Sequence, residues 1–105
     1  MDTEQTHQID RFVVKVKKEL NPDKIILFGS RANGTHWKRS DYDFIIVSKK
    51  FKGMHWLDRI SQAVQLWDDM SDVDILPYTP EEFIDKTKHS SVVRSASKSW
   101  KVLVG

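Results

Sequence analysis

Two stretches decide how this chain reads: Lys24-Ile25-Ile26-Leu27-Phe28-Gly29-Ser30-Arg31 and Asp41-Tyr42-Asp43-Phe44-Ile45-Ile46-Val47-Ser48. The first holds a β-branched apolar run, Lys24 to Phe28, ended by a glycine, which predicts a buried strand. The second predicts another strand over Asp41 to Ser48. Side chains two apart in a strand point to one face, so Asp41 and Asp43 converge on one spot. A third carboxylate, Asp74, sits inside Val73-Asp74-Ile75-Leu76, part of a short strand pattern from Val73 to Pro77. Charges inside buried strands are costly unless paired or metal-bound.

Outward from these strands the chain reads as helices. Between Asp2 and Leu20, the residues Ile9, Phe12, Val13, Val16 and Leu20 fall on one helical face. Asn21-Pro22 ends that helix, because proline disfavours helical geometry in the residue before it. Ser30 to Ser40 is polar, holds Gly34 and reads as a short helix or a loop, and Lys49 to Gly53 is a basic turn. Leu57, Ile60, Val64 and Trp67 mark a helix from about Met54 to Asp69. Thr79-Pro80-Glu81-Glu82 is a capping box with proline at the first helical position. A last helical pattern uses Val93, Ala96, Trp100 and Leu103. Helices alternating with three short strands predict one α/β (α+β) domain over residues 1–105. Its sheet is small and mixed, three-stranded or slightly larger, and flanked by helices.

Composition narrows the function classes. At 105 residues, 39% hydrophobic and 30% charged, the chain has the balance of a folded domain with one modest core. Lys+Arg 17 against Asp+Glu 15 gives +2, which does not argue for a nucleic-acid coat or a polybasic membrane anchor. With no cysteine, disulfides, Cys-ligated zinc and thiol nucleophiles are excluded. No apolar run can span a bilayer, and the acidic, polar start does not read as a signal peptide, so a cytoplasmic protein is expected.

If the Asp74 strand neighbours the Asp41 strand, three carboxylates could face one point, and such a cluster repels itself, which raises its pKa values until a divalent cation neutralises it. Hard oxygen ligands select Mg²⁺ or Mn²⁺. Beside them, Gly29 lets backbone approach a ligand, and Ser30 with the N–H groups that follow suits a phosphate. Arg31, Lys38 and Arg39 could add charge-assisted contacts to phosphate oxygens. No Gly-Lys-Ser/Thr follows, so this is not a Walker loop. Each piece alone is commonplace: a Gly-Ser is usually a turn and an Asp-x-Asp often a solvated strand end. Gly29-Ser30, ten residues, Asp41-x-Asp43, and then a third strand aspartate form a far more constrained pattern.

That pattern resembles the DNA polymerase β-type nucleotidyltransferase superfamily, and within it the minimal nucleotidyltransferases, or MNT proteins. Leu27-Phe28-Gly29-Ser30-Arg31-Ala32 matches the opening of the family motif, Gly34 and Ser40-Asp41-Tyr42-Asp43-Phe44 its continuation, and Val73-Asp74-Ile75 its third carboxylate. Ser91-Val92-Val93-Arg94-Ser95-Ala96 looks like the family's C-terminal helix. Many members carry Ala-Arg-Gly where this chain has Ala32-Asn33-Gly34, and the loop His36-Trp37-Lys38-Arg39 is bulkier than usual. The resemblance implies a nucleotidyltransferase fold and a two-metal nucleotidyl transfer. Asp41, Asp43 and Asp74 would be both catalytic residues and ligands for two Mg²⁺ ions, with Mn²⁺ possible. Gly29, Ser30 and Arg31 would bind the nucleotide phosphates. NMP, AMP from ATP first of all, would pass to a hydroxyl with release of pyrophosphate. Many minimal members pair with a HEPN-domain protein, so the resemblance also implies an antitoxin that adenylylates a tyrosine of a HEPN toxin.

Other readings compete. The chain could be a non-catalytic binding module that masks a partner protein. A glycosyltransferase using Asp-x-Asp and Mn²⁺ would need a larger domain, and a nucleic-acid binder would need a basic face. The size and several tryptophans are compatible with a homo-oligomer. His7, His36, His55 and His89 lack metal-ligand spacing and are expected at the surface. Trp67 and Trp100 are expected in the core, whereas Trp56 and Trp37 could mark a partner surface. No residue evidently reads the nucleotide base.

Overall fold

A computed structural model describes residues 3–34 and 41–105. The elements run α1 (Thr3–Leu20), β1 (Lys24–Phe28), α2 (Ser30–Asn33), β2 (Tyr42–Val47), a 3₁₀ turn (Lys49–Phe51), α3 (Trp56–Val64), β3 (Val73–Tyr78), α4 (Pro80–His89), α5 (Ser91–Ala96) and β4 (Lys101–Val104). The strands form one mixed sheet in the order β3-β2-β1-β4. β1 runs antiparallel to β2 and β4, and β2 runs parallel to β3. This is the mixed α+β architecture expected, with a fourth strand added.

The alternation of side chains divides the sheet into two faces. Ile25, Leu27, Tyr42, Phe44, Ile46 and Ile75 join Ile9, Phe12, Val16 and Leu20 of α1 in the larger core. The predicted stripe on α1 is therefore the buried one, and Phe12 packs its ring against both Phe44 and Trp67. On the other face Ile26, Ile45, Val47 and Tyr78 pack against Phe83 of α4 and Val93 of α5. The capping box at Thr79 and Glu82 is formed as the sequence predicts.

Two expectations are corrected. The helix predicted through Trp100 and Leu103 ends at Ala96, and Lys101–Val104 forms β4 instead. Val102-Leu103-Val104 fits either period, and the free edge of β1 supplies backbone partners that a helix does not need. The helix predicted to reach Asp69 stops at Val64. Trp67 thus enters the core from beyond the helix, with its Nε1–H donating to the Ser71 carbonyl at 2.8 Å. Trp100 packs against the second core, on Phe83, without being helical. His7, His55 and His89 are exposed. His36, Trp37, Lys38, Arg39 and Ser40 lie outside the described residues.

Candidate active site

The register places Asp43 directly beside Asp74 on the neighbouring parallel strand, and beside Phe28 on the antiparallel one. Asp41 precedes Asp43 by two residues, at the entrance to β2. Asp43 and Asp74 share the sheet face of Ile45 and Leu76, which further along packs against α4 and α5. That cover ends before it reaches the carboxylates: Asp41 and Asp74 are exposed and Asp43 is half-buried.

Burial, and then the neighbouring charges of Asp74 and Asp41, push the Asp43 carboxyl up to about 6. Among the described residues, no Lys, Arg or His side chain forms an ion pair with any of the three. Nor, among those residues, do three acidic or histidine side chains stand close enough together to hold an ion as they are. Asp43 and Asp74 thus stand side by side at one end of the sheet, with Asp41 just before β2, and among the described residues the three are not closed into a cage.

Gly29 faces Asp43. Its backbone is left-handed at φ +74°, and a Cβ there would collide with the Asp43 carboxylate, lying 3.3 Å from its Cγ. Only glycine meets both demands. Ser30 begins the short helix α2, and the Gly29 carbonyl accepts hydrogen bonds from the N–H groups of Ala32 and Asn33. Beside this turn is a groove of about 480 Å³ lined by Phe28, Gly29, Asn33 and, from the α5 side, Ser91, Ser95 and Ser99. Among the described residues its lining carries hydroxyls, an amide and apolar surface but no charged side chain.

Arg31, expected at the phosphates, is instead buried at 5% exposure. Its Nη1 donates to Gln5 Oε1 at 3.0 Å, and the guanidinium lies 4.2 Å from the centroid of the Tyr42 ring. Tyr42 stands between Asp41 and Asp43, and its hydroxyl donates to Gln8 Oε1 at 2.7 Å. Gln8 Nε2 in turn donates to Asp69 Oδ1 at 2.7 Å. This network ties the Asp41-x-Asp43 segment to α1 and to the loop before β3. Sequence reading missed Gln5 and Gln8. The available signal was two glutamines on the helical face that continues from Ile9 and Phe12, where polar residues need partners.

A family model described as "Polymerase beta, Nucleotidyltransferase" matches residues 11–103. No curated protein matches the chain. Among solved structures, one assigned as a nucleotidyltransferase from Sulfolobus solfataricus is 24% identical, with TM-score 0.57 and 81% of each chain covered. A toxin-antitoxin structure with AMP-PNP is 22% identical, with TM-score 0.55, covering 90% of this chain and 71% of that one. BolA1 from Arabidopsis thaliana is as similar in shape, at 24% identity and TM-score 0.59, covering 71% of this chain and 94% of that one. At such identities the likeness is one of fold, and shape alone does not separate the two kinds of protein. The family match does: the described carboxylates and the Gly29 turn lie within it, and the chain belongs to the polymerase beta-type nucleotidyltransferase family.

Proposed function

We propose that the chain transfers AMP from ATP to a hydroxyl of a protein, releasing pyrophosphate, and acts as an MNT-type antitoxin on a tyrosine of a HEPN-domain toxin. The apposition of Gly29 and Asp43, with Asp74 across the strand pair, is the observation that carries the transfer reading. The antitoxin reading draws on the sequence resemblance and on the fold shared with a toxin-antitoxin structure holding AMP-PNP.

The residues present fit a hard divalent cation: three carboxylates on one sheet face, one with its pKa raised toward neutrality by burial and like charge. Asp41, Asp43 and Asp74 would hold Mg²⁺, two ions in the full arrangement, with Mn²⁺ able to substitute. When bound, such ions offset negative charge on the phosphates and on the entering and leaving oxygens. The Gly29 backbone and Ser30 would bind the β- and γ-phosphates, where absence of a Cβ permits close approach. Phe28, Asn33, Ser91 and Ser95 would seat the uncharged nucleoside. Arg31 holds Tyr42, and so Asp41 and Asp43, in place. The acceptor hydroxyl oxygen forms a bond to the α-phosphorus, its proton passes to solvent, and the α–β bridging P–O bond breaks to free pyrophosphate. The reaction would run in the cytoplasm, with ATP as substrate and the toxin as partner.

Incubation of the protein with α-labelled ATP, Mg²⁺ and host lysate tests this. Label on a protein band with the wild type, absent with Asp43→Asn, is the expected result. Equal labelling by Asp43→Asn refutes the assignment. The alternative, a non-catalytic module that masks a partner, draws on the exposed apolar residues of α3, but it has no use for paired strand carboxylates with one of them, Asp43, set against a glycine.

A further inference from the structure

Helix α3 is covered on only part of its apolar arc. Arg59 and Ala63 are buried, whereas Leu57 is 66% exposed and Val64 38% exposed. Leu57, Ile60 and Val64, at i, i+3 and i+7, form one stripe along the helix. The sequence pattern marks these residues as the natural inward face, yet α3 meets the sheet chiefly at β3 and buries the neighbouring arc. The stripe continues past the end of the helix. Val64, Trp67 and the fully exposed Met70 line a groove of about 550 Å³ together with Asp41, Asp69, Asp72 and Asp74. Contiguous exposed apolar surface with a polar rim marks an interaction site.

We propose that α3 and this groove dock an amphipathic helix of the acceptor protein, its apolar side chains on Leu57, Ile60 and Val64 and its basic residues beside Asp69 and Asp72. The inference rests on the transfer reading and names the acceptor's chemistry. Spacing at i, i+3 and i+7 is what a helix laid in a groove recognises. The acidic lining selects a cationic flank, since among the described residues no Lys, Arg or His forms an ion pair with Asp69 or Asp72. A nucleic-acid acceptor would set its phosphates against the same lining. Because Asp41 and Asp74 belong to both the groove and the candidate active site, a helix seated on α3 would bring its hydroxyls to the carboxylates.

The test is fluorescence anisotropy with two labelled helical peptides that share a leucine stripe, one carrying lysines on its polar face and the other glutamates. The lysine peptide should bind the full chain, and Leu57→Lys or Val64→Lys should weaken it about tenfold or more. Ile84→Lys, the same charge change at an exposed site on α4, should leave binding unchanged. Any of four results overturns the docking surface: no binding of the lysine peptide, equal binding of the glutamate peptide, equal loss with Ile84→Lys, or a dimer of this chain that Leu57→Lys dissociates. ATP titration with Mg²⁺ on the same samples separates this inference from the reading beneath it. Nucleotide binding without peptide binding removes the surface alone. Peptide binding without nucleotide binding keeps the surface and removes the transferase.

Discussion

Strand β3 carries Asp74 near its start and ends near Arg59 and Glu82, and its two ends treat charge in opposite ways. At the far end the Arg59 side chain is buried but fully engaged. Its Nη1 and Nη2 donate to the Glu82 carboxylate at 2.6 and 3.3 Å, and its Nε donates to the Met54 carbonyl at 3.0 Å. Glu82 also accepts from the Thr79 N–H at 2.8 Å. Its hydrogen bond with Arg59 holds the Glu82 carboxyl below its usual range. At the near end Asp43 is pushed the other way by burial and by Asp74 and Asp41. One end of the strand is built to stay folded. The other tolerates repulsion that the fold would be better without, as the proposed cation site would require.

The largest contrast is in activity. Asp43→Asn should lower label transfer by about a thousandfold or more, roughly 4 kcal/mol of barrier, read by initial rates with α-labelled ATP. A variant at the far end that remains folded should leave the rate within a few-fold of wild type. Stability should show the reverse. Arg59→Ala strips Glu82 and two backbone carbonyls of a donor and should cost about 3 kcal/mol, measured by urea unfolding. Gly29→Ala combines a left-handed φ with a collision against Asp43, so it should cost about 2 kcal/mol and lose transfer as well.

The smallest effects carry the sharpest signs. The folded state raises the Asp43 pKa, so it binds this proton more tightly than the unfolded chain does. Its destabilising effect therefore grows as pH rises from the ordinary aspartate value of 3.8 to about 6 and is full above that. Asp43→Asn should stabilise the metal-free protein at pH 7 by about 1 kcal/mol, with solvent screening of a half-exposed group taken into account. The gain should vanish once pH falls below the ordinary aspartate range. Glu82→Gln should behave oppositely. The lowered pKa of Glu82 adds stability above its ordinary carboxylate range, which is lost as pH falls through its folded value. The variant should be about 1 kcal/mol less stable at pH 7 and converge with wild type in acid. Parallel pH profiles of the two variants would remove the distinction between the ends.

The same contrast explains what was legible in the sequence. Ile25 to Phe28 and Phe44 to Val47 announce buried strands by composition. Asp43 and Asp74 stand out because a charge inside such a run needs a reason. Long-range partners were not legible. Arg59 sits within a helix and gives no sign that its guanidinium would be buried against Glu82, and Arg31 beside Gly29 invites a phosphate reading without any sign of its contacts to Gln5 and Tyr42. Periodicity located the apolar arc of α3 without showing which part of it β3 would cover. Val102 to Val104 was too short to choose between helix and strand until the edge of β1 supplied a partner.

Repulsion on Asp43 from Asp41 and Asp74 is what the proposed cation site would require. Thermal unfolding of wild type and Asp43→Asn at neutral pH, with increasing Mg²⁺, tests it most directly. A ligand that binds only the folded state raises the unfolding temperature as its concentration rises. Asp43→Asn should start more stable and stay flat, while wild type climbs with Mg²⁺ and closes the gap. Curves that move together, or a wild type indifferent to Mg²⁺, would contradict it.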